Sequence, residues 1–286
     1  MRLISFLFTV TFCLNISYSS TSHSEIKIMT FNTMCDFCKG SSFFDYKNRV
    51  KSLARIVNSY QLDMIALQEV RTLSHVKSIV NDGKLDYKIV ATDSWFMSYA
   101  DPAIIYNQKK YTEISRGQYW LGPDKESLNF GWKMALPRQV LWVKLLDLKT
   151  NKKFAVMTSH FDNRIENLTG AALLVNQLIT SFDIPVIFAA DTNLTIDMVQ
   201  YEKLTTSVLE NAYDIASKVS IEFQESEKEL CYLRKGKKFP SCRVDHFLLS
   251  KKDKWSVDLF KVDQTKNHKG LFPSDHRPIY LELKLF

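Results

Sequence analysis

The sequence predicts an α/β domain in which two β-sheets pack face to face with helices on the outside. Two observations carry this. Strand-like segments dominate the chain beyond residue 86 and are broken by one strongly amphipathic stretch. Several buried strand segments also end in polar residues: Asn32, Glu69, His160, Asp191 with Asn193, Asp245, and Asp275 with His276. One such ending means little. Six or seven, all carboxylate, amide or imidazole, imply strand ends converging on one place, which stacked sheets provide.

In chain order, "EIKIMTFN" (25–32) alternates apolar and polar residues and reads as a half-buried strand. "FFDYKNRVKSLARIVNSY" (43–60) sets Val50, Leu53, Ile56 and Val57 on one helical face, "DMIALQEV" (63–70) is a short buried strand, and 72–80 has helical spacing. Strands follow at 87–92, 102–107, 111–121, 138–148 and 152–161. "NLTGAALLVNQLITSF" (167–182) is an amphipathic helix and "IPVIFAADTN" (184–193) a buried strand. After a variable stretch come strands at 241–250, 255–262 and 278–285.

The chain has 286 residues, 45% hydrophobic and 24% charged, which suits one large domain. Arg2 followed by "LISFLFTVTFCL" and small polar residues describes a secretory signal over 1–20, leaving a single catalytic domain at 21–286. The apolar run is shorter than the about 20 residues an anchor needs, and no later run could span a membrane. The expectation is a secreted, periplasmic or otherwise extracytoplasmic monomer. Beyond the leader four cysteines remain: Cys35, Cys38, Cys231 and Cys242. In an exported chain they suggest disulfides, with Cys35–Cys38 and Cys231–Cys242 as the local pairings among three connectivities. A zinc site is the rival reading. The formal net charge of +7, with lysines clustered at 232–239 and 251–254, favours polyanionic partners, although either cluster alone reads equally well as a solvated face.

Phosphate-ester hydrolysis needs a divalent cation, an activated water and donors for developing negative charge. Mg²⁺ takes oxygen ligands and keeps several waters, so Glu69 with Asn32 suffices, and Asp275 can add a contact. Asp191 can accept a proton from water, with Asn193 beside it. His276 can donate to a phosphoryl oxygen, and a carboxylate such as Asp245 would keep it protonated. His276 alone reads as an ordinary loop histidine; beside Asp275 it can also be half of a phosphate-ester hydrolysis site. The tryptophans Trp95, Trp120, Trp132 and Trp142 read as core and rim packing rather than a base-stacking platform.

The ordered set "MTFNT" (29–33), "IALQEV" (65–70), "TSHFDN" (158–163), "AADTNL" (189–194), "RVDHFLLS" (243–250) and "PSDHRPI" (273–279) resembles the endonuclease/exonuclease/phosphatase family, and spans nearly the whole chain after the leader. The resemblance implies a four-layered α/β sandwich of two mainly antiparallel sheets. It implies Mg²⁺, with Mn²⁺ or Ca²⁺ as alternatives, on Asn32 and Glu69, with Asp275 near the metal or water. It implies Asp191 and Asn193 at the water and Asp245 behind His276. It makes His160 the second active-site histidine, with Asp101 as its carboxylate partner, Arg138 a phosphate contact and Tyr106 a further phosphate-binding residue. "AADTN" departs from the usual pattern, because Ala190 stands where the family has glycine. The middle Thr192 also occurs in the tyrosyl-DNA phosphodiesterase branch.

The expected function is hydrolysis of phosphodiesters, with nucleic acid as the preferred substrate. A phospholipid, sugar-phosphate or inositol-phosphate hydrolase is the alternative, for which "SWFMSY" (94–99) is the one aromatic candidate for a membrane-seeking loop. An inactive binding protein would be expected to have lost some of these polar residues.

Overall fold

The computed structural model describes residues 23–36, 46–80, 86–92, 101–133, 136–221 and 243–286. The expected leader, Cys38, Cys231, Cys242, Trp95, the 94–99 segment and the 232–239 lysines lie outside the described residues.

One sheet is assembled from β1 (Ser24–Asn32), β2 (Met64–Gln68), β3 (Tyr87–Ala91), β4 (Ala103–Asn107), β10 (Val219–Ile221), β12 (Trp255–Val262) and β13 (Ile279–Leu285), in the order β10-β12-β13-β1-β2-β4-β3. The other contains β5 (Tyr111–Trp120), β6 (Gln139–Asp147), β7 (Lys153–Ser159), β8 (Val186–Asp191), β9 (Leu209–Asn211) and β11 (Asp245–Ser250), in the order β5-β6-β7-β8-β11-β9. The parallel pairs are β1–β2, β10–β12 and β7–β8, and the remaining pairs are antiparallel. Helices α1 (Tyr46–Ser59) and α2 (Leu73–Val80) follow strands of the first sheet, while α3 (Ile165–Thr180) and α4 (Val199–Thr205) flank β8 of the second.

Three apolar clusters show the four layers. Leu53, Ile56 and Val57 of α1 and Val76 and Ile79 of α2 pack on Met29, Phe31, Ile65 and Ile105 of the first sheet. Leu168, Ala171, Val175 and Ile179 of α3 pack on Met157, Val186 and Phe188 of the second. Between the sheets lie Ile26 and Ile28, Met64 and Ala66, Phe154 and Val156, Ile187 and Ala189, and Phe247 and Leu249. Successive strand residues point to opposite faces, so each strand shows one parity to the middle and the other to its helices.

That parity positions the site. Continuing the inward set of β1 (26, 28) reaches Asn32, and that of β2 (64, 66) reaches Gln68. The inward sets of β7 (154, 156), β8 (187, 189) and β11 (249, 247) reach His160, Asp191 and Asp245. Gln68, Asp191 and Asp245 are the next inward positions after the apolar core runs out, and Asn32 and His160 follow one inward threonine later, Thr30 and Thr158.

The expected elements agree with the structure to within a few residues. The short α4, β9 and β10 fall in stretches with no clear period. Among the described residues no helix is long and apolar enough to cross a membrane.

Candidate active site

Register brings the polar ends together. Asn32 pairs with Gln68 across the parallel β1–β2 ladder, which sets Asn32 beside Glu69. In the second sheet Asp191 pairs with Asp245 on one side and bridges to His160 on the other. Gln68 Nε2 donates to Thr158 Oγ1 at 2.9 Å, joining the sheets just beneath the site.

Asn32 is the hub between the sheets. Its Nδ2 donates to Glu69 Oε1 at 3.0 Å and to Asp191 Oδ2 at 2.9 Å, and its Oδ1 accepts from the Met34 amide. Glu69 Oε2 accepts from the Cys35 amide at 2.7 Å, and the Glu69 amide donates to Asp101 Oδ1 at 2.8 Å. Met34, Glu69 and Asn193 adopt φ of 59°, 60° and 51°. Left-handed backbone at three non-glycine residues of one site is strain that the surrounding hydrogen bonds must hold.

His276 lies between two carboxylates. Its Nδ1 is 2.7 Å from Asp245 Oδ2 and its Nε2 is 3.6 Å from Asp191 Oδ2. Burial alone would lower its pKa, but the carboxylates of Asp245 and Asp191 outweigh it and push the imidazole up to about 10. The same contact acts on Asp191. Burial opposes ionisation there, yet His276, His160 and the Asn32 amide hold the carboxyl below its ordinary range.

His160 Nε2 lies 3.6 Å from Asp191 Oδ2 and 3.8 Å from Glu69 Oε1, while its Nδ1 is 3.4 Å from Asp101 Oδ2. Arg138 Nη1 comes closer to that nitrogen, at 2.9 Å, and is 3.4 Å from Asp101. A guanidinium only donates, so Nδ1 accepts and the ring proton sits on Nε2, facing Asp191 and Glu69. Arg138 Nε is buried with no hydrogen-bond partner among the described residues.

Asn193 donates from Nδ2 to the Phe161 carbonyl, and its amide donates to Asp191 Oδ1 at 3.0 Å. Asp275 is half-buried beside His276. Tyr106 is a correction to the sequence expectation. It points between the sheets, but β4 runs away from the site, from Ala103 opposite Leu67 to Tyr106 opposite Met64. Its hydroxyl donates to Glu113 at 3.0 Å, at the far end of the strand. His246 is a core residue on the Leu194 carbonyl, with burial pushing its pKa down to about 3. Trp120, Trp132 and Trp142 are half-buried. Cys35 carries a disulfide.

Two supports had no counterpart in the sequence reading. Arg49 is 2% exposed and donates to four carbonyl oxygens: those of Thr33 and Pro273 through Nη1, and those of Met34 and Cys35 through Nη2. The signal was present, since residues 49, 53, 56 and 57 share the inward face of α1. Ser274 Oγ donates to the Asn32 carbonyl at 2.7 Å and accepts from the His276 amide, tying both ends of the chain into the site.

Two groups of side chains could take a metal. Glu69 is a hard oxygen donor with its carboxylate partly open to solvent, Asn32 would add its amide oxygen on turning the amide whose Nδ2 now faces Glu69, and Asp275 is a third oxygen donor nearby. This suits Mg²⁺. Asp191, Asp245 and His276 also place ligand atoms within 4.8 Å of one another. There the raised imidazole pKa favours a proton over an ion.

No protein-family model matches the chain. A protein of Acanthamoeba polyphaga mimivirus, described as uncharacterized, is 24% identical over 179 residues, 59% of this chain and 67% of that one. Solved structures align over almost their whole length. An endonuclease/exonuclease/phosphatase from Bacteroides vulgatus superposes with a TM-score of 0.76 at 21% identity, covering 92% of this chain and 100% of that one. A mannosyl-6-phosphatase from Bacteroides thetaiotaomicron gives 0.74 at 20% identity, covering 90% and 99%. TDP2 of D. rerio, complexed with single strand DNA product, gives 0.68 at 18% identity, covering 91% and 99%. Two stacked mixed sheets, outer helices and end-to-end superposition on these proteins establish that this chain has the endonuclease/exonuclease/phosphatase fold.

Proposed function

We propose that the chain is a Mg²⁺-dependent phosphoesterase that hydrolyses phosphodiesters, with nucleic acid as its preferred substrate class. The observation that carries the reading is the setting of Asp191. This buried carboxylate lies 3.6 Å from the Nε2 atoms of both His160 and His276. A carboxylate flanked by two ring N–H donors, with a hard oxygen set beside it, can align a water against a phosphorus atom held by those donors.

Glu69 and Asn32 would hold the ion, with Asp275 close by. When bound, the ion neutralises phosphoryl charge and stabilises the departing oxygen. Asp191 is a weak base because its pKa is held down. Its role is therefore to orient the attacking water, and proton transfer advances with P–O bond formation. His276, kept cationic by Asp245, donates from Nε2 to the oxygen that gains charge. His160 donates from Nε2, with Arg138 fixing its tautomer. Arg138 Nε has no hydrogen-bond partner among the described residues, which supports Arg138 as a phosphoryl contact.

A sugar-phosphate monoester is the second reading, supported by the similarity to the mannosyl-6-phosphatase. The test offers purified protein with Mg²⁺ a panel of plasmid DNA, RNA, sphingomyelin, an inositol polyphosphate and a hexose 6-phosphate. Cleavage of DNA or RNA at rates above the other substrates is expected. Turnover of the hexose phosphate alone would replace the first reading with the second, and turnover of none would remove both.

We further propose export through the 1–20 leader, with Cys35 paired to Cys38 and Cys231 to Cys242. The protein from culture medium or periplasm should begin after the leader and titrate no free thiol when unfolded without reductant. Four free thiols would refute the pairing.

A further inference from the structure

Helix α1 reads "YKNRVKSLARIVNS", which contains four cations and no acid. Arg49 points inward to the loop carbonyls. Lys47, Lys51 and Arg55 are exposed and spaced four residues apart, so they form one row along the helix. With Ser52, Asn267, His268 and Lys269 they line a cleft of about 470 Å³ that has no carboxylate in its wall among the described residues.

This row is costly to the helix. Like charges at four-residue spacing repel, and Lys47 sits in the first turn, where the helix dipole disfavours a cation. Its members span about 12 Å at 1.5 Å per residue. That is the rise of roughly three to four nucleotides along one strand of a duplex. The cleft is also joined to the candidate active site. Arg49, on the same helix, braces the backbone just after Asn32, and the loop carrying Asn267 and Lys269 continues directly into Pro273–His276.

We propose that this cleft is an auxiliary binding site for the phosphate backbone of a nucleic acid, holding the strand beyond the scissile bond. The proposal rests on the nucleic-acid reading above and deepens it. It also separates long polyanions from small phosphate esters, since only the former reach both places.

The test is the triple variant Lys47→Glu/Lys51→Glu/Arg55→Glu. Glutamate forms helix about as well as lysine and arginine, so the variant should fold, which an unchanged melting temperature verifies. Binding of a fluorescent 20-nucleotide DNA is measured by anisotropy in chelator, where no turnover occurs, across a salt series. A control variant, Lys149→Glu/Lys153→Glu/Lys203→Glu, carries the same net charge change at exposed positions elsewhere. The cleft variant should bind at least tenfold more weakly, with a salt slope shallower by about two to three. Its turnover of bis(p-nitrophenyl) phosphate should be unchanged. Equal loss in the control would show bulk charge alone and overturn the proposal, as would unchanged DNA affinity. Stronger Lys47- and Lys51-dependent binding to anionic phospholipid vesicles than to DNA would overturn it in favour of a lipid surface. Because binding is read without turnover, a failure of the cleft is distinguishable from a failure of the catalytic reading, in which the p-nitrophenyl ester would not be cleaved at all.

Discussion

Asp191 and Asp245 stand directly opposite each other on β8 and β11, two carboxylates facing across one antiparallel pair. Like charges so placed destabilise a sheet, and the ring of His276 between them offsets this. The pair is tolerable because a third residue, delivered by the loop before β13, supplies a cation.

The double mutant therefore separates stability from rate. His276→Ala removes the cation between Asp191 and Asp245, so it should lower the melting temperature as well as kcat. Asp245→Asn added to His276→Ala removes the repulsion and should recover part of the lost stability. It should cost little further rate, because Asp245 acts through the histidine. The single His276→Ala loss is expected at about 10²–10³ in kcat, with KM little changed. Independent, multiplying losses in a double-mutant cycle would disprove the partnership.

His276 also sets a pH dependence. Its folded pKa, about 10, lies above the ordinary value. Its stabilisation is thus complete below about pH 6.5 and is lost as pH rises toward 10. Asp191 has the opposite sign: its depressed pKa contributes stability above about pH 4, lost on further acidification. Urea unfolding of wild type and His276→Gln at pH 6, 8 and 10 should show a stability gap that narrows steadily. A gap independent of pH would contradict the imidazolium.

Glu69→Gln keeps the shape of the side chain but removes its charge. It should abolish the rise in melting temperature that millimolar Mg²⁺ gives wild type, and should lower turnover at least a hundredfold. An undiminished thermal shift would assign the ion to other ligands, with Asp191, Asp245 and His276 next to be tried.

Arg49→Met fills similar volume but leaves the carbonyls of Thr33, Met34, Cys35 and Pro273 without these donors. An unmet buried acceptor costs about 1–3 kcal/mol, so the variant should lose at least about 3 kcal/mol in urea unfolding. Its kcat should fall although Arg49 touches no substrate. Unimpaired stability would show that water replaces the guanidinium.

Much of this was legible because period-two alternation is a direct record of the inward face. Ile26, Ile28 and Asn32 already share a parity in the sequence, as do Ile187, Ala189 and Asp191. What alternation does not encode is direction. Tyr106 has the inward parity, yet β4 runs antiparallel to β2 and carries it to the opposite end of the sandwich. Long-range partners are less legible: the 31-residue separation of Asp245 and His276 carries no period, so chemistry could only name Asp245 as a candidate partner, and the family resemblance singled out the pair. Arg49 escaped notice because a lone arginine on an apolar stripe looks like a defect until its carbonyls are seen. The short α4, β9 and β10 are too brief for any period to register.

The Arg49 brace grips the path of the main chain and is blind to what hangs from it. A carbonyl offers the same lone pairs whatever side chain its residue bears. Mutational drift can thus rewrite the letters at 33–35 and 273 without loosening the clasp, so long as the arginine stays. The geometry of the site is insured by one side chain against change in its neighbours, which suits a scaffold that superposes on distant proteins at about one identical residue in five.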